Sequence, residues 1–285
     1  MNVPVDKILI WTIAKYCRAC TLKEYQIETR ELLTALRLVH HKFEKLILIG
    51  SNGSVSLPED LAGLEELISV QVFDEEHPSD YIDLQAGGRL GPDSLSKIGF
   101  SLSYCSPTED QQSIRTTAIG GVDLSLQGCS SGAEQNASTL LKLPTDAISE
   151  LHRPEMVRRL LQLLTERWDC TFGGVSLNGY REAVKGDEAD SYAGQWLFYL
   201  PFPNLAKHLP EDIISEPFSR GTLISTTRHL PDAKDSRDVA AGKRVRDALD
   251  DLGLIWNATY AIAGWPPDRE ERQYEQFISG ATADR

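Results

Sequence analysis

The chain predicts an α+β fold: antiparallel β-sheets with three to five helices, in two α/β halves, residues 1–150 and 151–285, that depend on one another. Three observations carry this. Residues 97–143 are short runs of alternating apolar and polar residues broken by Gly, Ser, Pro and Asn, the pattern of antiparallel strands and hairpins. Segments 29–38, 154–168 and 238–252 instead repeat apolar residues at three- and four-residue spacing. Strands come in blocks between these helices, whereas a doubly wound sheet would alternate strand with helix.

Taken in order, residues 7–13 (KILIWTI) are a β-rich run for a mostly buried strand. Thr29 can cap a helix over 29–38, whose Leu32, Leu33, Leu36 and Val39 share a face. Residues 46–49 make a second buried strand, closed by the turn Gly50-Ser-Asn-Gly53. The stretch 54–91 is polar, acidic and turn-rich, and reads as surface. Strands follow at 97–104, 115–119, 122–127 and 138–143. Pro154 suits the first position of helix 154–168, with Met156, Leu160, Leu161, Leu163 and Leu164 on its apolar face. Next come a strand at 170–177, an acidic loop with Asp187, Glu188 and Asp190, and an aromatic strand at 195–200 (QWLFYL). A strand at 221–227 and a helix at 238–252, stopped by Gly253, complete the pattern.

Charge narrows the partners. The chain's 285 residues carry 29 Lys plus Arg against 42 Asp plus Glu, a formal charge of −13. Such a surface repels phosphate, so direct binding to nucleic acid or to an anionic membrane is disfavoured, and a basic protein partner is favoured through electrostatic steering. The early apolar run, 8–14, is too short for a membrane span and is flanked by Asp6 and Lys15, so the expected location is cytoplasmic. Cys17, Cys20, Cys105, Cys129 and Cys170 form an odd, unpatterned set that fits reduced thiols.

Motifs for catalysis are incomplete. Gly128-Cys-Ser-Ser-Gly132 matches the G-x-S-x-G nucleophile elbow, which would make a serine hydrolase of Ser130 with Asp212 and His229 downstream. The polar residues after it lack the apolar helix that packs under an elbow, so a hairpin turn is the better account. Cys17-Arg-Ala-Cys20 could be a thiol oxidoreductase pair, yet Thr21, Tyr25 and Ile27 make no immediate helical stripe to lower a thiol pKa. No second CxxC, HExxH or EF-hand spacing exists, so no metal site and no cofactor are expected. What remains are large aromatics, Trp11, Trp168, Trp196, Tyr199, Trp256 and Trp265, which build the core or, where exposed, anchor interfaces.

The order of segments resembles the immunity protein 52 family of bacterial polymorphic toxin systems, which includes proteins protecting cells from type VI secretion effectors. The likeness runs through ILIWTIAKY, the helix with Tyr25 and Leu32, IGFSLSY, the hairpin 120–128 and the segment Asn136 to Pro144. It continues through Arg167-Trp168-Asp169, Gly194-Gln-Trp-Leu-Phe-Tyr-Leu200 and Arg220-Gly-Thr-Leu-Ile-Ser-Thr226. Cys170 stands where that family often has a Pro. The resemblance implies a cognate toxin with a nuclease domain, neutralised by binding and not by chemistry. Acidic contacts to such a basic domain are expected from Asp187, Glu188 and Asp190, with Glu211, Asp212 and Glu216 as a second patch.

Overall fold

The alternating runs and helical stripes become twelve strands and five α-helices in a computed structural model, which describes residues 7–14, 19–86, 88–106, 121–131, 137–144, 150–167, 170–185, 194–252 and 254. The fold is α+β, as expected. Contacts divide it into two units, one of Leu9–Thr171 and one that takes in Ile8 and the residues from Phe172 onward. The strand expected at 115–119 lies outside the described residues.

In the first unit, β1 (Ile8–Ala14) alternates fully buried with half-buried residues, the mostly buried strand expected, with one face turned fully inward. The helix α1 (Leu22–Val39) starts at Leu22 and not at Thr29. Its cap is a Thr-x-x-Glu box, in which the Thr21 hydroxyl accepts from the Glu24 N–H at 3.3 Å and Glu24 Oε2 accepts from the Thr21 N–H at 2.8 Å. That box satisfies two N–H groups at once, which a cap at Thr29 would leave to water. Thr29 is instead buried inside the helix, where its hydroxyl accepts from Arg167 at 3.4 Å.

Strands β2 (Ile47–Gly50) and β3 (Gly53–Ser56) form the hairpin whose turn the sequence marked, with Gly53 at a left-handed φ of 102°. Inside the stretch read as surface lie β3 itself, α2 (Leu64–Gln71) and β4 (Tyr81–Ile82), with β5 (Leu95–Ser96) just beyond. α2 is only eight residues long, too short for a period to show, but it drives Leu64, Ile68 and Gln71 inward. Next come β6 (Phe100–Cys105), β7 (Asp123–Gly128), β8 (Ala137–Lys142) and α3 (Pro154–Thr165), near their expected places. The main sheet of this unit runs β1-β8-β7-β6-β2-β3, each pair antiparallel, while β4 and β5 form a separate small sheet. α1 buries Leu32, Leu33 and Leu36, and α3 buries Val157, Leu160, Leu161 and Leu164. The Tyr25 hydroxyl donates to Leu126 O at 3.1 Å, tying α1 to β7.

The cysteines depart from expectation. Cys20 is joined by a disulfide to Cys129, 109 residues further on, not left reduced and not paired with Cys17, which lies outside the described residues. Sequence spacing displays neighbours along the chain, whereas this pair is brought together by the sheet. A helix start does follow Cys20 directly, contrary to the reading of Thr21 to Ile27.

The second unit has β9 (Phe172–Leu177), α4 (Asn178–Lys185), β10 (Leu197–Leu200), β11 (Ile214–Phe218), β12 (Gly221–Ser225) and α5 (Ser236–Asp251). Its strands run β9-β10-β12-β11, all antiparallel. Trp196 and Tyr199 are core residues, Trp11 of β1 is partly exposed, and Trp168, Trp256 and Trp265 lie outside the described residues. α4 and α5 meet at Gly242, where an added Cβ would run into the Tyr180 hydroxyl and Val184. Gly242→Ala should therefore destabilise by about 1–3 kcal/mol, because overpacking outweighs the gain of roughly 1 kcal/mol in helix propensity. A urea midpoint equal to or above that of the parent would refute this. Among the described residues, no helix is long and apolar enough to cross a membrane.

Candidate partner-binding surface

Two acidic patches were expected to meet a partner. Asp187, Glu188 and Asp190 lie outside the described residues. Glu211 and Asp212 sit exposed on the turn before β11, and Glu216 is exposed on β11 itself. Part of that charge is compensated: Asp212 Oδ2 accepts from Arg244 of α5 at 2.7 Å, with both side chains more than half exposed. An exposed pair of this kind holds its partners by about 1 kcal/mol at most, so both remain available to a competitor.

A larger acidic surface lies in the first unit. Residues 46–88 contain nine carboxylates and neither Lys nor Arg, so they account for −9 of the chain's −13. Glu59 and Asp60 stand exposed before α2, and Glu65 and Glu66 occupy its first turn, where the helix dipole favours negative charge. Asp74, Glu75 and Glu76 follow the helix, Asp80 leads into β4 and Asp83 leaves it. Glu59, Asp60, Glu66, Glu75, Glu76 and Asp83 are all exposed. Among them Val70 of α2 is 49% exposed, an apolar point within a charged field.

Local partners fix this surface and neutralise only part of it. Arg30 of α1 grips Glu65 with two bonds, Nε to Oε1 at 2.7 Å and Nη2 to Oε2 at 2.6 Å, and this grip holds the Glu65 carboxyl below its usual range. Gln26 donates to Glu65 O and Ser69 Oγ, both at 2.8 Å, so α2 is fastened to α1 along its length. Asp74 meets His77 Nδ1 at 2.9 Å; that hydrogen bond lowers the carboxyl's pKa and raises the imidazole's. Asn52 donates to Val70 O at 2.6 Å and to Phe73 O at 3.2 Å, closing the far end of α2. The carboxylates are thus displayed on a helix braced at both ends. The signal for it in the sequence is the charge run of residues 46–88, which reads as solvated surface because no motif marks it.

Residues considered for catalysis are engaged elsewhere. Ser130, in the first unit, is buried and its hydroxyl donates to Lys97 O at 2.6 Å, which uses the proton a base would have to remove. His229, in the second unit, meets both oxygens of Asp238 at 3.1 Å, and Asp212 is not its partner. The buried Asp238 carboxylate also accepts from the Asp232 N–H at 2.9 Å, so it holds the loop that precedes α5. Among the described residues, no group of three or more His, Cys, Asp or Glu is placed to hold a metal ion.

The structure of the Pseudomonas aeruginosa T6SS protein PA0821 is similar to this chain, with a TM-score of 0.51 at 14% sequence identity, over 87% of this chain and 74% of that one. At that identity the likeness is one of fold. No protein-family model and no curated protein matches the chain.

Proposed function

We propose that this protein is an immunity protein: it binds a cognate secreted toxin, a nuclease effector of a type VI secretion system, and neutralises it without catalysis. One observation carries the reading, the braced carboxylate surface of residues 59–83, with six exposed acids in the segment that also holds the half-exposed Val70. The shared fold with a T6SS protein supports the setting, and the segment order supports the kind of partner. A nuclease needs a basic groove to neutralise phosphates. An acidic protein seated there excludes the nucleic acid, gains complementary charge and steers its own encounter. Nanomolar affinity, about −12 kcal/mol, is within reach of an interface of roughly 1,600 Å² with good central anchors.

The test is co-expression with the toxin encoded beside it. The parent chain should rescue growth, and Ser130→Ala and Cys17→Ala should rescue equally. Replacing Glu66, Glu75 and Glu76 with Lys should slow association roughly tenfold or more at low ionic strength, with the difference shrinking as salt screens it. The same reversal at Glu211, Asp212 and Glu216, and at Asp187, Glu188 and Asp190, ranks the other two patches. No rescue by the parent removes the immunity reading; rescue with an unchanged association rate in all three variants removes the electrostatic one.

A further inference from the structure

We propose that Cys20 and Cys129 form a covalent clip that is set while the chain folds and is then shielded, so that the protein's resistance to unfolding depends on how oxidising its folding compartment is. The two Cα atoms are 4.7 Å apart, within the span a disulfide bridges, and the residues are 1% and 0% exposed. The proposal is independent of the partner named above.

The two sulfurs are aimed at each other by contacts that do not involve the bond. On one side, Cys20 immediately precedes the cap of α1, and the first free N–H groups of that helix are already taken: Leu22 N–H donates to Ser94 O at 2.9 Å and Lys23 N–H to Pro92 O at 3.0 Å. On the other side, Cys129 leaves β7 with a left-handed φ of 63°, a conformation that favours glycine and is kept here by its neighbours. Those neighbours are Ser130, bridged to Ser96 and donating to Lys97 O at 2.6 Å, and Ser131, whose N–H donates to Ser96 O at 2.8 Å. Gly99 packs so tightly on Gly128 that a Cβ there would come within 2.8 Å of Gly128 O. Segment 92–99 therefore holds both the start of α1 and the turn carrying Cys129, and the disulfide closes this ring of contacts.

Burial sets the timing. Thiol–disulfide exchange needs a thiolate that can reach its target, and neither sulfur is reachable once α1 has docked. The bond must form earlier, with a small disulfide such as oxidised glutathione, or a thiol–disulfide oxidoreductase, as oxidant. One protein thiolate attacks that disulfide, releasing one thiol and leaving a mixed disulfide. The second protein thiolate then attacks the protein sulfur and releases the other thiol. Two protein thiols become one disulfide as the oxidant becomes two thiols. After docking, reductant is excluded for the same reason. The closed loop spans 109 residues, long enough for the constraint on the unfolded chain to be near the upper end of what one disulfide supplies.

The experiment refolds the full chain with oxidised glutathione or with dithiothreitol, then alkylates and maps the peptides. The oxidised protein should yield a Cys20–Cys129 linked peptide, keep it in dithiothreitol under native conditions and lose it when urea is added. The reduced protein should melt about 10 °C lower. Cys20→Ser and Cys129→Ser should each melt at that lower temperature, with no further drop on adding reductant. Because the parent chain is compared with itself in two redox states, a variant that fails to fold does not decide the outcome. The proposal is overturned if both cysteines of the oxidised native protein alkylate, if another pair such as Cys17 with Cys20 is recovered, or if the two redox forms melt together.

Discussion

Replacing Trp196 with Ala should cost about 3–5 kcal/mol, the largest loss expected from a single substitution among the described residues of the second unit. The indole is wholly buried, the largest side chain among the described residues to be so, just ahead of β10. Its ring N–H donates to Thr227 O at 3.1 Å, and its backbone joins two strands' ends: the Trp196 N–H donates to Val175 O at 2.7 Å and its carbonyl accepts from the Thr226 N–H at 3.0 Å. Truncation leaves a cavity that strands on either side cannot close, because their backbones are fixed by those bonds. It also leaves Thr227 O without its indole donor. Trp196→Phe separates the two contributions: it keeps most of the volume and loses the donor, so about 1–3 kcal/mol is expected. Urea unfolding followed by far-UV dichroism measures both. An Ala variant within about 1 kcal/mol of the parent would show the site repacks, contrary to the geometry.

How much of this was legible depends on which physical signal each element leaves in the sequence. Strands with one buried face, such as Ile8–Ala14 and Phe100–Cys105, write their period directly, and α3 does the same at helical spacing. α2 and α4 span eight residues each, about two turns, so too few apolar positions recur to separate a helix from a loop. The apolar stripe of α1 is cleanest from Leu32 onward and so predicts a late start, while its true start is marked by polar chemistry, the Thr21 and Glu24 box. The edge strand β11 carries Glu216 and Pro217, which protect an edge from further pairing but also disguise it as a turn.

For the candidate surface, charge was visible and placement was not. Residues 46–88 show their nine carboxylates to anyone counting, yet only the fold shows that Arg30, Gln26 and Asn52 brace α2 so that Glu66 and Val70 stay outward. The residues considered for catalysis illustrate the reverse case. Ser130 and His229 have suitable chemistry and suitable order along the chain, but their hydrogen bonds go to Lys97 O and Asp238. The link between Cys20 and Cys129 leaves no mark in the sequence at all, since the partners lie 109 positions apart.

Alkaline pH should unfold the protein over a defined window, because three tyrosine hydroxyls are buried where a phenolate is disfavoured. Burial pushes Tyr25 up to about 12 from an ordinary value of 10, with the nearby Arg167 guanidinium only partly opposing it. Burial likewise pushes Tyr180 up to about 12, and raises Tyr104 well above its ordinary value. The hydrogen bonds agree with this direction. Tyr25 donates to Leu126 O and Tyr180 donates to Asp238 O, each at 3.1 Å, so ionisation would leave an anion facing a carbonyl oxygen. The folded state therefore keeps protons that the unfolded chain releases above pH 10. The stabilisation is complete below about pH 10 and is lost as pH rises towards 12, at up to roughly 1.4 kcal/mol per pH unit for each tyrosine. Tyr25 and Tyr180 together account for about 5 kcal/mol at the top of the window, a large part of a typical domain's stability. Urea midpoints at about pH 9 and about pH 11.5, with tyrosinate absorbance followed in parallel, measure it directly. Stability that stays flat between those two values would contradict the burial of these hydroxyls. Tyr25→Phe gives the specific check: it should lower stability at neutral pH by the lost hydrogen bond, about 1 kcal/mol, yet make the alkaline decline shallower by close to one proton. A variant whose decline is as steep as the parent's would remove Tyr25 from the cause and leave Tyr104 and Tyr180 to account for it.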